Sequence, residues 1–167
     1  MHSHAFNKRQ EEPVKLVLAG LGDGDTRGKL SKLDGFPHNW RLVEEVPAIP
    51  LNSVYLTADS PNVLDELEND KCYVLGGIVD RNRLQRAAID RAEALSLPHA
   101  RLPLEACVDF EGTKVLTVNH CFEILCGWRE GGWGKSMVEH MPTRKSVVEK
   151  GRDVGIIDED GNGKNSI

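Results

Sequence analysis

Three short segments place small or polar residues directly after an apolar run, a pattern typical of ligand-binding groups at strand ends. They are residues 55–60 (YLTADS), 74–80 (VLGGIVD) and 115–120 (VLTVNH). In open α/β sheets, ligands bind beyond the carboxyl ends of the strands. Gly76 and Gly77 let the backbone approach a ligand closely and adopt torsions that other residues avoid. With the carboxylates nearby, these features predict a cofactor pocket, and the alternative is a plain Gly-Gly tight turn.

The strands that must position these segments are predicted from short apolar runs. Five runs are typical of buried strands, at residues 15–18, 40–43, 53–56, 72–75 and 114–118. Helix-like stretches lie between them. This alternation predicts an α/β fold with a largely parallel sheet covered by helices.

The covering helices are predicted from capping residues and from the spacing of apolar residues. Ser60 and Pro61 are typical of a helix start, and Asn119 is a good capping residue for a later helix that stops near Gly131 and Gly132. His120 then falls in the first turn, where a structural role is favoured over catalysis. The predicted helices are residues 61–67, 84–97, 119–132 and 133–140.

Composition indicates one globular domain. The 167 residues are 40% hydrophobic and 28% charged, enough for a single core. No run is long and apolar enough for a membrane helix or a signal peptide, so we expect a soluble, intracellular protein. The net charge of −5 is unusual for a nucleic-acid enzyme and requires any RNA-binding surface to be local. Residues 146–167 lose hydrophobic patterning and are expected to form a disordered tail.

Several other site classes are not supported. The four cysteines form no CxxC pair and are expected to be buried thiols. Residues 158–163 open like an EF-hand loop, but the bidentate Glu that such a loop needs is absent. His2 and His4 have no fixed geometry, so we expect no metal site. No GxGxxG or GxxxxGK[ST] fingerprint supports a nucleotide-binding domain.

Five stretches occur in an order that identifies a family resemblance. They are residues 54–60 (VYLTADS), 73–82 (YVLGGIVDRN), 100–104 (ARLPL), 115–125 (VLTVNHCFEIL) and 142–145 (PTRK). The set resembles the tRNA purine-nine N1-methyltransferase family of the SPOUT class, and several ordered motifs are more specific than one Gly-rich loop. The resemblance implies that residues 1–145 form a domain whose C-terminal part is a trefoil knot, a rare topology.

The resemblance also implies a cofactor and the residues that line its pocket. The cofactor is S-adenosylmethionine, which the family holds in a bent conformation, and backbone groups would do most of the binding. The lining residues carried over are Leu56, Thr57, Gly76, Gly77, Leu102, Pro103, Leu104, Leu116, Thr117, Val118 and Asn119.

Asp80 is the candidate catalytic residue. The N1 atom of guanine is protonated at neutral pH, so it must lose a proton as the methyl group arrives, and a carboxylate can accept that proton. The alternative is that Asp80 caps the following helix or pairs with Arg81 or Arg83. Asp59 either orients the target base or caps the helix predicted near Ser60 and Pro61.

A local basic cluster follows Asp80 and is the candidate tRNA-binding surface. It comprises Arg81, Arg83, Arg86 and Arg91, and its alternative is a solvated helix face balanced by Asp90 and Glu93. The substrate-binding residues expected from the resemblance are Asp59, Arg81, Asn82, Arg83, Arg144 and Lys145, and further positive charge comes from Lys8 and Arg9. We expect a monomer that acts on tRNA in the nucleus or cytoplasm, with guanine favoured over adenine.

Two departures from the family pattern are visible. The family normally starts with an upstream strand, a helix and a basic N-terminal extension, and residues 5–9 match the end of that helix, so we expect an N-terminally incomplete domain. Residues 84–86 (LQR) stand where the family usually has an aromatic residue or His, then Lys, then Gly. The alternative function is a catalytically silent RNA-binding or scaffold module of the same fold.

Overall fold

In the described part of the chain, the fold is built around a three-stranded parallel sheet, whose central strand at residues 53–56 lies between strands at residues 72–75 and 99–100. The computed structural model describes residues 6–7, 9–11, 13–19, 28–29, 32, 41–43, 49–77, 86–110, 116–142 and 147–150. In chain order the elements are β1 (Val17–Ala19), β2 (Arg41–Val43), β3 (Ser53–Leu56), β4 (Cys72–Leu75), α1 (Ala87–Ala94), β5 (His99–Ala100), α2 (Leu104–Cys107), β6 (Val108–Asp109), α3 (Val118–His140) and β7 (Val148–Glu149).

The register of the central sheet brings three strand ends together. Leu56 at the end of β3 lies opposite Leu75 of β4 and Ala100 of β5. Since all three strands run in the same direction, their carboxyl ends meet at one edge of the sheet. The predicted strands at residues 53–56 and 72–75 and the predicted parallel sheet are confirmed. β1 and β2, also parallel, overlap the predicted strands at residues 15–18 and 40–43.

The two faces of the sheet pack against different helices, because neighbouring side chains of a strand point to opposite faces. Tyr55 packs with Ala92 of α1 in a small cluster. Its neighbours Val54 and Leu56 belong to a larger core that includes Ile124 of α3. The sheet therefore lies between α1 and α3, which is the layered arrangement of an α/β domain.

Helix α3 is broken where the sequence predicted two helices to meet. Gly131 and Gly132 have non-helical torsions, and Gly132 has a φ of 75° that favours glycine. After the break, Ser136 Oγ donates a hydrogen bond of 2.7 Å to the carbonyl of Ile124. An ideal Cβ on Gly127 would lie 2.6 Å from that Ser136 oxygen. The two halves of α3 therefore pack closely against each other, with glycine at the contact.

The helix predicted at residues 61–67 is wrong. The segment is extended, and Val63 forms an isolated parallel bridge with Arg101. The indole N–H of the buried Trp133 donates to the carbonyl of Asp65 at 2.6 Å. The hydroxyl of Tyr73 accepts from the backbone N–H of Glu68 at 2.8 Å. Tertiary partners therefore satisfy backbone groups that a helix would have paired internally.

Three other predicted boundaries differ from the structure. The helix expected at residues 84–97 is shorter, because α1 ends at Ala94 and Ser96 has a positive φ of 53°. The strand expected at residues 114–118 is not present in its described part, since Val118 already begins α3. In the expected tail, Val148 and Glu149 pair antiparallel with β6, so residues 147–150 are ordered, and residues 151–167 lie outside the described part.

Among the helices of the described residues, none has the length and apolar character needed to cross a membrane.

Candidate active site

The carboxyl edge of the central sheet gathers most of the predicted cofactor-binding residues. Leu56 and Thr57 are buried at the end of β3, and the Thr57 N–H donates to the carbonyl of Ala100 at 2.9 Å. Gly76 directly follows β4, and Leu102 lies two residues after the end of β5. The parallel register thus places three of the four predicted lining segments at one edge.

Gly76 and Gly77 differ in what surrounds them, and neither has a positive φ. An ideal Cβ on Gly76 would lie 3.3 Å from the Tyr55 hydroxyl oxygen, which is tighter than ordinary contact. An ideal Cβ on Gly77 would meet no atom of the described residues within 4 Å. A left-handed conformation is therefore not what either glycine supplies. Gly76 lies in tight contact with Tyr55, whereas no described residue comes as close to Gly77.

Tyr55 is buried beside this glycine pair, on the face of the sheet that packs against α1. Burial raises the pKa of its hydroxyl, and the positive charge of Arg91 partly opposes that rise. The hydroxyl therefore stays protonated across the neutral range and acts as a neutral polar group under the backbone of Gly76.

Residues 102–104 form a tight turn at the end of β5. The N–H of Leu104 donates to the carbonyl of Leu102 at 2.9 Å, and the central Pro103 has φ −77° and ψ 48°. These values are close to an inverse γ-turn, a conformation common at strand ends. Pro103 and Leu104 are buried, and Leu102 packs against the main core. Proline suits the centre of this turn because its φ is fixed near the required value.

The fourth lining segment lies at the start of α3. The capping residue is Thr117, whose hydroxyl accepts from the N–H of His120 at 3.4 Å. The prediction that Asn119 is the cap is therefore wrong, because Asn119 lies inside the first turn. The hydroxyl of Thr117 also contacts His120 Nδ1 at 2.8 Å, which fits the structural role expected for that histidine. Leu116 packs against the same core cluster that contains Leu56 and Leu104.

Asp59 does not cap the helix predicted near Ser60 and Pro61, because that helix is absent; its carboxylate instead binds the residue that precedes α1. Its Oδ2 atom accepts a hydrogen bond of 3.2 Å from the backbone N–H of Arg86, immediately before α1. Its own N–H donates to the hydroxyl of Thr57 at 3.3 Å. A carboxylate at a helix N-terminus is stabilised by the unpaired N–H groups and the helix dipole.

Arg86 is engaged locally rather than presented to a ligand. Its guanidinium lies 3.5 Å from Asp90 and 3.8 Å from Glu93, all three side chains being well exposed. Of the two interpretations of the basic cluster, a helix face whose charges are balanced by Asp90 and Glu93 therefore applies to Arg86.

Part of the predicted site lies outside the described residues. This part contains the candidate base Asp80 and the expected tRNA contacts Arg81, Asn82, Arg83, Arg144 and Lys145. Their roles stay predictions. Within the described part of the chain, no three His, Cys, Asp or Glu side chains are grouped so as to hold a metal ion.

The four cysteines differ in burial. Cys126 is buried, and Cys72, Cys107 and Cys121 are half-buried. The expectation of buried thiols is met fully at Cys126 and in part at the others. Burial raises the pKa of both Cys121 and Cys126 to about 11.

The sequence did not reveal one feature of this edge, a group of contacts between Arg101 and the loop after β3. The Arg101 guanidinium donates to the carbonyls of Ser60 and Pro61. Ser60 also contacts the ring and the carbonyl of His99. The residue types do not predict these contacts, because an arginine that follows a strand is typically an exposed cation.

A shallow cavity of about 230 Å³ lies away from this edge, between the N-terminal segment and α3. No residue of the predicted cofactor site contributes to its lining, which comprises Gln10, Glu11, Val14, Cys126, Arg129 and Glu130.

Solved structures share the fold of this chain. The crystal structure of the full-length spTrm10–SAH complex aligns with a TM-score of 0.70 and 29% identity, covering 84% of this chain and 81% of that chain. The crystal structure of spTrm10(74) aligns with a TM-score of 0.70 and 28% identity, covering 84% and 80%.

Sequence comparison gives the same relationship. The tRNA (guanine(9)-N1)-methyltransferase of Schizosaccharomyces pombe is 32% identical over 166 residues, covering 94% of this chain and 55% of that protein. The tRNA methyltransferase 10 homolog A of Rattus norvegicus is 36% identical over 154 residues, covering 87% and 45%. The chain thus spans about half the length of these relatives. A family model for tRNA (guanine(9)-N(1))-methyltransferase TRM10/TRM10A matches residues 1–146. The chain belongs to the TRM10/TRM10A family of tRNA (guanine(9)-N(1))-methyltransferases.

Proposed function

We propose that this chain transfers a methyl group from S-adenosylmethionine to N1 of guanine at position nine of tRNA. One observation carries the proposal: residues from three of the four predicted cofactor-lining segments, and Leu75 directly before Gly76, share one core cluster. Leu56 and Leu104 belong to that cluster, and Leu75, Leu102 and Leu116 pack against it. Membership of the family and the likeness to a structure solved with SAH support the same ligand class.

The residues at the sheet edge fit such a cofactor. No atom of the described residues lies within 4 Å of an ideal Cβ on Gly77, and the apolar side chains of Leu56, Leu75 and Leu102 lie at the strand ends next to the polar backbone of this edge. An adenine and a methionine moiety need this mixture of apolar walls and a few polar groups. The residues that would hold the cofactor are Leu56, Thr57, Gly76, Gly77, Leu102, Pro103, Leu104, Leu116, Thr117, Val118 and Asn119.

The chemistry needs a proton acceptor and correct alignment. When bound, S-adenosylmethionine supplies an electrophilic methyl group and leaves as S-adenosylhomocysteine. In our proposal the Asp80 carboxylate accepts the N1 proton of guanine, directly or through a water molecule. An ordinary Asp titrates near pH ~3.9, so it is a weak base. Holding N1 in line with the methyl group therefore supplies a large part of the rate.

The proposal extends to topology and to the substrate. The C-terminal part would form the trefoil knot of the SPOUT class, which the likeness to the spTrm10 structures supports. The tRNA would be held by Arg81, Asn82, Arg83, Arg144 and Lys145. Asp59, already bonded to the backbone N–H of Arg86, would orient the loop before α1 rather than the target base. We propose a monomer that acts in the nucleus or cytoplasm.

Two measurements on the whole chain test the proposal. Titration calorimetry with S-adenosylhomocysteine should show binding, and its absence would favour a catalytically silent RNA-binding module. Asp80→Asn should lower N1 methylation by about 10²- to 10⁴-fold, as expected for loss of a general base, and leave that binding nearly unchanged. The matched control is Asp109→Asn, because Asp109 is exposed and pairs with Lys150 at 3.2 Å. Unchanged methylation by Asp80→Asn would contradict the role of Asp80.

A further inference from the structure

Arg101 joins two loops at the carboxyl edge of the sheet. Its Nη1 atom donates to the carbonyl oxygens of Ser60 at 2.6 Å and Pro61 at 2.8 Å. Both bonds come from one nitrogen of a half-buried side chain. Hydrogen bonds from a charged donor are stronger than those between neutral groups. The guanidinium therefore fixes the path of the loop after β3 relative to the end of β5.

The backbone of Arg101 holds the same loop. Its N–H donates to the carbonyl of Asn62 at 2.8 Å, and its carbonyl accepts from the N–H of Leu64 at 2.9 Å. These bonds alone would pair Arg101 with residues 62–64. The side chain extends the attachment backward to residues 60 and 61, towards Thr57.

His99 and Ser60 close the arrangement from the other side. Ser60 is 2% exposed, and its hydroxyl lies 2.9 Å from His99 Nδ1 and 3.1 Å from the His99 carbonyl. The hydroxyl also accepts from the N–H of Asn62 at 3.1 Å. A hydroxyl has one hydrogen, so bonding both His99 atoms requires the tautomer with a proton on Nδ1. The loop after β3 is thus held at several successive residues.

We propose that Arg101 is a positioning residue for the cofactor pocket. It sets the spacing between Thr57, three residues before Ser60, and the γ-turn of residues 102–104 that begins directly after it. Both segments are among the proposed cofactor-lining groups, so this inference rests on the proposed function. Small displacements of positioning groups are costly, because backbone donors and acceptors bind a ligand only at fixed distances.

The test compares Arg101→Gln and Arg101→Lys with the wild-type chain by titration calorimetry with S-adenosylhomocysteine. Arg101→Gln removes the charge and cannot reach both carbonyls, so we expect binding at least about tenfold weaker, or roughly 1.4 kcal/mol. Arg101→Lys keeps one charged nitrogen with three donors, so we expect it to recover part of the affinity. The matched control is Arg129→Gln. Arg129 is an exposed arginine of α3 that donates to the Asn69 side chain at 3.2 Å, away from the cofactor-lining segments. We expect this variant to bind S-adenosylhomocysteine like the wild type.

A second readout separates positioning from stability. In steady-state methylation, partial unfolding lowers the apparent kcat and leaves KM unchanged, whereas loss of positioning raises KM for S-adenosylmethionine and leaves KM for tRNA unchanged. We expect the second pattern for Arg101→Gln.

The possible outcomes are distinct. If the wild-type chain does not bind S-adenosylhomocysteine, the proposed function fails and so does this inference. If the wild type binds and a folded Arg101→Gln binds equally well, the inference alone is overturned. It is also overturned if Arg101→Gln does not fold while Arg101→Lys binds like the wild type, because Arg101 would then be purely structural.

Discussion

The carboxylate of Asp59 accepts a hydrogen bond of 3.2 Å from the backbone N–H of Arg86, across 27 positions of sequence. This bond ties the loop after β3 to the start of α1. Leu75, the last residue of β4, pairs with Leu56 of β3. Leu75 and Arg86, which lie on the two sides of the segment that contains Asp80, are therefore both held by β3 or by the loop that follows it.

Removing the Asp59 carboxylate should destabilise the start of α1. We expect Asp59→Ala to lower the free energy of unfolding by about 0.5–1.5 kcal/mol, the usual net contribution of one hydrogen bond. Asp59→Asn keeps an acceptor oxygen and should lose less. Urea denaturation monitored by circular dichroism measures both. Equal stability of Asp59→Ala and the wild type would show that the bond contributes nothing.

Replacing Arg86 with glycine should relieve backbone strain. Arg86 has φ 62° and ψ −1°, a left-handed conformation that favours glycine. Relative to Arg86→Ala, which loses the same ion pairs, Arg86→Gly should be more stable by about 1 kcal/mol. The exposed ion pairs with Asp90 and Glu93 contribute little, so the comparison isolates the backbone. Thermal denaturation measures the stability of the two variants. If Arg86→Ala were more stable than Arg86→Gly, the backbone at this position would not be strained.

A methyl group at Gly76 should disturb its packing with Tyr55. The added Cβ would lie 3.3 Å from the Tyr55 hydroxyl oxygen, and Tyr55 is only 7% exposed, so it has little room to move. We expect Gly76→Ala to cost about 1–3 kcal/mol of stability. In a Tyr55→Phe background, which lacks the oxygen, the cost should be smaller. A double-mutant cycle measures this coupling. If the two substitutions had additive effects on the free energy of unfolding, the contact with the Tyr55 hydroxyl would not be the cause of the destabilisation.

Stability should fall at high pH because of two thiols. Burial raises the pKa of Cys121 and Cys126 from 9.0 to about 11. As the pH rises from 9.0 towards 11, the unfolded chain loses these protons first, so the unfolded state is favoured and the free energy of unfolding decreases. The double variant Cys121→Ala/Cys126→Ala should show a shallower decrease over that range in urea denaturation. If the free energy of unfolding decreased equally with pH in the variant and the wild type, the two thiols would not be the cause of the decrease.

The elements predicted well from the sequence are those whose environment is uniform along their length. Both β3 and β4 are continuous apolar runs, and each was located at its observed boundaries. The break in α3 was also predicted, because two consecutive glycines are poor helix formers. The strand β5 was missed, since His99 and Ala100 make no apolar run and pair only through their backbone.

The errors share a physical cause, which is that distant partners outweighed local preference. Ser60 and Pro61 are typical of a helix start, yet the Ser60 hydroxyl bonds to His99 and the Ser60 carbonyl to Arg101. Asn119 is a good cap in isolation, but Thr117 occupies the capping position two residues earlier. The convergence of the cofactor-lining segments was expected from family resemblance and from the parallel sheet. The contacts of Arg101 and Asp59 depend on tertiary geometry that no local pattern encodes.

Mass spectrometry of tRNA nucleosides, after incubation of the chain with S-adenosylmethionine and unmodified tRNA, tests most directly whether this chain methylates guanine at position nine. We expect 1-methylguanosine, located at position nine by fragment mapping, and its loss with Asp80→Asn. A chain that binds S-adenosylhomocysteine but forms no methylated guanosine, or methylates a different atom or position, would contradict the proposed function.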